Sequence, residues 1–300
     1  MTWAEHYMKE PAEPRRTHNL NMGLATLLLA LFLICHGGVS EILQSFNDVP
    51  HCQNFFHQGQ EPIRLDSPST ARICQRLQGV YYYATLYHRD ARVPIYSAYI
   101  LEKSTTSRPD LSSSSWYLEP MLAELPQENM LQPSHSALQP ELARVTESQA
   151  VNDDYRNSGL TRGHLNPSGH HSSESQLSTF TYTNMAPQQG NFNSGSWNNY
   201  ETFLKDSVLP SCSQTHVITG VILSGFNPEE GVWLRGRVNV PTFFWSAFCC
   251  VRGDGSRRAE GRLGSNVAPY EVLTKSVPQL ESVLSQEYGQ NVLLFPGGCQ

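Results

Sequence analysis

Net positive charge is the first thing this chain lacks. Its 21 lysines and arginines are outnumbered by 27 acidic residues, giving a formal net charge of −6 over 300 residues. That excludes the basic footprint of a protein built to coat or store nucleic acid. A hydrolase that touches phosphates only transiently needs local cations alone and stays within bounds. Also missing is an apolar run of the about 20 residues that cross a bilayer; the stretch Gly23 to Cys35 falls short. No cysteines stand at the CxxC-like spacing of a zinc site, and no internal repeat is found. Glycosylation sequons are absent, because Asn166-Pro167-Ser168 is blocked by its proline.

What is present suits a folded, exported domain. Apolar residues make up 39% of the chain and aromatic residues 10%, enough to bury a core and to exclude intrinsic disorder. Arg15, Arg16 and His18 precede the apolar run, and Gly37, Gly38, Val39 and Ser40 follow it. Basic flank, short apolar core and small residues form the layout of a secretory signal peptide. Residues 1–40 are therefore expected to be an N-terminal extension and signal peptide, with Met22 as an alternative start and an uncleaved anchor as the competing reading. The folded domain is expected over 41–300, secreted to the extracellular side, with no stable membrane span. Cys35 falls in the leader, and Cys52, Cys74, Cys212, Cys249, Cys250 and Cys299 remain. An even number in an oxidising compartment reads as disulfides of open pairing, with the neighbours Cys249 and Cys250 bonded to different partners.

Along the chain, a helical start is expected near 41–46. Val80–Leu86 and Val93–Leu101, rich in aromatic and β-branched residues around a turn at 88–92, read as a β-hairpin. Residues 103–150, full of Ser and Pro, read as a long surface connection with short helical turns. Thr215–Ser224 and Thr242–Val251 read as strands, the second buried. Helical spacing is expected over 267–288, and a last short strand over 292–295. Strands, inserted helices and strands again predict an α+β domain with an antiparallel sheet.

Two segments carry chemistry. In Thr161-Arg162-Gly163-His164 the glycine suggests a tight bend holding a cation beside an imidazole. His164 is a candidate general base, since an ordinary histidine changes charge near neutral pH. Arg162 can fork onto a phosphate or a carboxylate. The second segment runs Thr183-Asn184-Met185-Ala186-Pro187-Gln188, then Asn193, Trp197, Glu201 and Lys205. The last three share a helix face at i, i+4 and i+8. Asn193, placed just before that helix, is either an N-cap or a hard, neutral ligand for a magnesium ion, which takes few protein oxygens. Glu201 either holds a metal-bound water or pairs with Lys205. His170 and His171 are read as solvated.

Together these segments resemble the DNA/RNA non-specific endonuclease family, with its [D/S]RGH motif, TN-x-APQ segment, and the asparagine, tryptophan and glutamate beyond. Further similarity, to the endonuclease domain-containing 1 branch, lies in Ile73-Cys74-Gln75-Arg76, Tyr83–Tyr87, Ile95–Tyr99, Cys249-Cys250 and Phe295–Cys299. The resemblance implies a ββα-metal (His-Me finger) core with a central antiparallel sheet and flanking helices. It also implies a sequence-nonspecific, Mg2+-dependent endonuclease acting on DNA and RNA, with Mn2+ or another divalent cation as a substitute. His164 would be the base, Asn193 the metal ligand, Arg162 and Glu201 catalytic supports, and Asn184 a bridge between loops. Thr161 departs from the commonest motif, which has Asp there; a hydroxyl can hydrogen-bond but brings no charge. Arg108 lies near an upstream arginine of the family, without a clear match. The competing reading is a weakly active or inactive secreted binding protein on the same scaffold, and a third is a phosphodiesterase acting on small nucleotides. Oligomeric state is left open.

Overall fold

In the computed structural model the described residues are 42–299; the expected leader lies outside them. Strands β1 (Ile42–Leu43), β2 (Thr70–Leu77), β3 (Val80–His88) and β4 (Val93–Ile100) follow one another as a meander. The chain then leaves the sheet. Residues 101–213 carry helix α1 (Leu142–Ser148), a two-stranded ribbon of β5 (Leu160–His164) and β6 (Met185–Gln189), and helix α2 (Asn198–Phe203). Alpha2 is prolonged by π-helical turns at Phe192–Trp197 and Leu204–Val208. After β7 (Gln214–Ile222) come the short hairpin β8 (Trp233–Leu234) and β9 (Val238–Asn239), then β10 (Phe243–Val251), β11 (Arg257–Ser265), β12 (Val272–Lys275) and α3 (Val277–Tyr288).

The large sheet has the order β1-β2-β3-β4-β7-β10-β11-β12, antiparallel throughout. Beta7 pairs directly with β4, so the whole excursion is inserted between two neighbouring strands. Both faces of the sheet are covered. On β10, Phe244, Phe248 and Cys250 enter one core while Trp245, Ala247 and Cys249 enter the other, because successive strand residues point to opposite faces. A strand buried on both sides needs apolar residues at nearly every position, which is why this segment reads as an unbroken run.

The same alternation settles the cysteines. Cys250 bonds Cys212 on one face, Cys249 bonds Cys299 on the other, and Cys52 bonds Cys74.

Four local expectations need correction. The 41–46 segment is extended at Ile42–Leu43 and turns helical only at Phe46–Asp48, where the Ser45 hydroxyl caps the turn. Over 267–288 the chain first forms β12; the helix starts at Val277, behind a capping box of Ser276 and Gln279. Residues 292–295 contribute one bridge, Ile63 to Leu293, rather than a strand. The 103–150 connection is not superficial: Trp116, Leu118, Leu122, Leu138 and Val145 are buried.

Candidate active site

Beta5 and β6 pair with Arg162 opposite Pro187, Gly163 opposite Ala186 and His164 opposite Met185. Arg162 and His164, two residues apart, share one face of the ribbon. Gly163 does not bend the chain as expected; it lies within the strand. A Cβ there would come within 2.3 Å of Gln188 Oε1 and 2.8 Å of Gln188 Cβ, so the glycine admits a close approach of side chain to backbone.

The ribbon leads into the helical segment carrying Asn193 and Glu201, and the two form one wall of a cleft of about 1270 Å³. The other wall is the chain following β4, with Lys103, Thr106 and Arg108. His164, Arg162, Asn193 and Glu201 all line this cleft. So does Lys205, paired with Asp206 at 3.9 Å rather than with Glu201. Trp197 does not join them: it is buried against Phe192 and Phe244. The lining holds Lys103, Arg108, Arg162 and Lys205 against Glu201 and Asp206, a local excess of cations on an acidic chain.

His164 is set between aromatic rings, 5.1 Å from Phe180 and 5.6 Å from Trp116 between centroids. Burial, helped by the nearby Arg108 charge, lowers its pKa to about 3, against a hydrogen bond to the Arg162 backbone. A ring nitrogen that donates to a carbonyl fixes the neutral tautomer. Nε2, buried and without a protein partner among the described residues, then carries the lone pair.

Arg162 is only partly available. Its Nη2 donates to Asn152 Oδ1 at 2.6 Å, and its guanidinium lies over Tyr155 and Trp116, at 5.0 and 5.7 Å; Nε is buried without a partner among the described residues. Arg108, which the sequence left unmatched, reaches the cleft with its guanidinium 5.3 Å from the Phe180 ring. No proximity in sequence to His164 signals this. Glu201 has no cation partner among the described residues, and burial raises its carboxyl to about 8.

Asn193 lies inside the first π-helical turn, not ahead of the helix, and its side chain caps nothing. Nδ2 donates to Thr161 Oγ1 at 2.9 Å, and Oδ1 has no protein donor among the described residues. Asn193 and Glu201 offer hard oxygens, with no thiolate among the described lining residues, and so fit a hard dication that keeps most of its waters.

Behind the cleft, Asn184 is fully buried and its amide links three segments. Oδ1 accepts from Ser97 Oγ and the Asn166 amide, and Nδ2 donates to the carbonyls of Asn166 and Thr179. His170 and His171 are buried, contrary to the expectation of solvation. Tyr99 and the Glu201 carbonyl hold His170, while Asn166 and Ser175 hold His171. These rings fill the floor between sheet and helix, where polar side chains need partners and find them.

Comparison with known proteins agrees with this architecture. Residues 66–291 match the family described as DNA/RNA non-specific endonuclease. Endonuclease domain-containing 1 protein of Homo sapiens is 32% identical over 209 residues, 68% of this chain and 40% of that protein. Mitochondrial endonuclease G of Homo sapiens is 30% identical over 160 residues, 49% of this chain and 52% of that protein. The chain thus matches less than half the length of the first relative. Among solved structures, a crystal structure of EndoG in complex with EndoGI superposes with a TM-score of 0.50 at 21% identity, covering 74% of this chain and 86% of that one. The β5–β6 ribbon followed by the helical segment carrying Asn193 has the strand–strand–helix order of a ββα-metal fold. With the family matched over most of its length, the chain belongs to the DNA/RNA non-specific endonucleases.

Proposed function

We propose that this protein is a secreted, Mg2+-dependent, sequence-nonspecific endonuclease hydrolysing phosphodiester bonds of DNA and RNA, with residues 41–300 as its catalytic domain. One observation carries the reading: His164 Nε2 and Asn193 Oδ1, neither with a partner among the described residues, belong to side chains that line the same cation-rich cleft.

His164 accepts a proton from the water that attacks phosphorus. As a free base it is weak, because desolvation and Arg108 hold its pKa near 3. A bound phosphate brings negative charge to both groups, which offsets the Arg108 charge and raises the basicity of the imidazole when a proton must be taken. Arg108 and Arg162 bind phosphate oxygens; Asn193, with Glu201 behind it, holds the cation. When bound, a divalent ion supplies charge stabilisation on the phosphate and the departing oxygen. The three disulfides support maturation in an oxidising compartment, and no helix among the described residues is long and apolar enough to cross a membrane.

The test is cleavage of supercoiled plasmid and single-stranded RNA by the purified protein, with Mg2+ and with a chelator, beside His164→Ala. Cutting that requires Mg2+ and drops by about a hundredfold or more in the variant is expected for loss of a general base. A correctly folded, disulfide-bonded wild type that cuts neither substrate with any divalent ion overturns the reading in favour of a binding protein on the nuclease scaffold.

A further inference from the structure

The Thr161 hydroxyl has a single hydrogen and donates it to the Gln188 carbonyl at 2.9 Å. Only lone pairs remain on Oγ1, so the Asn193 atom 2.9 Å away must be the donor Nδ2. With the amide nitrogen pinned, the oxygen occupies the other branch. The threonine is itself held in place. Beta5–β6 pairing sets it opposite Gln188, and its methyl lies 3.7 Å from where a Cβ on Gly190 would stand. The next residue after Asn193 is anchored too, Ser194 Oγ donating to the Gly190 carbonyl at 2.7 Å.

We propose that Thr161 is the positioning residue that orients the Asn193 amide, presenting Oδ1 rather than Nδ2 to a divalent cation in the cleft. The inference rests on the reading of Asn193 as a cation ligand. The uncharged threonine is a working solution at this position, because what Asn193 requires from its neighbour is an acceptor, and the Gln188 carbonyl makes Thr161 one. Without it, the amide can rotate and offer the cation an NH2 group, which cannot ligate it.

The test uses the full chain and Mn2+ as the probe. Binding is followed by the electron paramagnetic resonance of free Mn2+ with no nucleic acid present, alongside the Mg2+ dependence of plasmid cutting. Thr161→Val keeps the shape and removes the acceptor; Thr161→Ala serves if the valine variant does not fold, as judged by thermal unfolding. Either is expected to weaken Mn2+ binding about fivefold, the effect of one neutral hydrogen bond. Half-saturating Mg2+ should rise by the same factor, while the rate at saturating Mg2+ changes little. Thr161→Ser restores binding to within about twofold of wild type. In an Asn193→Asp background, where a carboxylate offers oxygen on either branch, Thr161→Val adds no further loss. A folded Thr161→Val protein that binds Mn2+ as tightly as wild type overturns the proposal. A wild type that neither binds Mn2+ nor cuts overturns the metal reading beneath it, so the two failures are told apart.

Discussion

His164 meets Phe180 edge to face, the ring centroids 5.1 Å apart and the planes at 83°. Arg108 approaches the same phenyl ring, so an apolar wall and a cation both favour the neutral imidazole, at about 3 instead of 6.5. The expected consequence is a kcat/KM, measured at saturating Mg2+, that shows no acid limb near pH 6.5, because this parameter reports the free enzyme. Phe180→Ala, which admits water to the ring, should move the limb upward toward the ordinary histidine range. A wild-type profile that already titrates near 6.5 contradicts the described environment.

Glu201 shifts the other way. Burial raises its carboxyl from 4.5 to about 8, so near neutral pH it is mostly protonated, and a dication beside it drives the proton off. Mn2+ affinity should therefore climb by up to roughly twentyfold between pH 6.5 and 8.5. Glu201→Gln should abolish the climb. The comparison is a pair of Mn2+ titrations for each protein; equal slopes in both would remove Glu201 from the metal's surroundings.

At Gly163 the space is already taken. Alanine would place its Cβ 2.3 Å from Gln188 Oε1 and 2.8 Å from Gln188 Cβ, forcing β5 away from β6. Overpacking of this kind costs about 1–3 kcal/mol, and the strand it moves carries His164. Gly163→Ala should lower Tm by several degrees and cut activity further than the stability loss explains. An unchanged Tm would mean that Gln188 moves aside freely.

His170 makes stability depend on acid. Tyr99 and the Glu201 carbonyl hold the ring, and burial lowers its pKa to about 3 from 6.5. The unfolded chain takes up this proton as pH falls through 6.5; the folded protein refuses it until near 3. Stability therefore declines across that window, by roughly 2 kcal/mol per such histidine between pH 7 and 5. Burial lowers His57, His88 and His216 as well, adding in the same direction. Urea midpoints at the two pH values should show a shallower decline for His170→Gln than for wild type, from a lower start. Parallel declines would assign the acid sensitivity elsewhere.

Legibility in the sequence followed burial pattern. Beta3, β4, β7 and β10 are apolar over most of their length and announce themselves. Beta11 hides because it carries Arg258, Glu260 and Arg262, whose charges pair with one another. The arginines lie over Tyr200, Phe203 and Phe248, burying their stems in a way that hydropathy does not register. Trp116, Leu118 and Leu122 are anchored in the core from a segment without period, and nothing local marks them as buried. In the site, the motif residues stand out by their order along the chain. Arg108 and the Thr161–Asn193 contact do not, since each depends on pairing across the fold. The buried placement of His170 and His171 is hidden for the same reason: two histidines in a Ser-rich turn look solvated until their partners are known, whereas the bridging role of Asn184 is implied by the resemblance.

Residues 101–213, which supply every wall of the cleft, begin and end on strands that are hydrogen-bonded neighbours. The entropy lost in joining the ends of such a detour grows only with the logarithm of its length, about 0.6 kcal/mol for each doubling. The closure entropy is therefore a small matter beside the packing, since Trp116, Leu138, Val145, Phe180 and Trp197 of the detour fill the core on one face of the sheet. The stretch that lines the cleft is thus also the stretch that covers one face of the sheet, so the cleft can be reshaped cheaply only at those positions of the detour that stay outside the core.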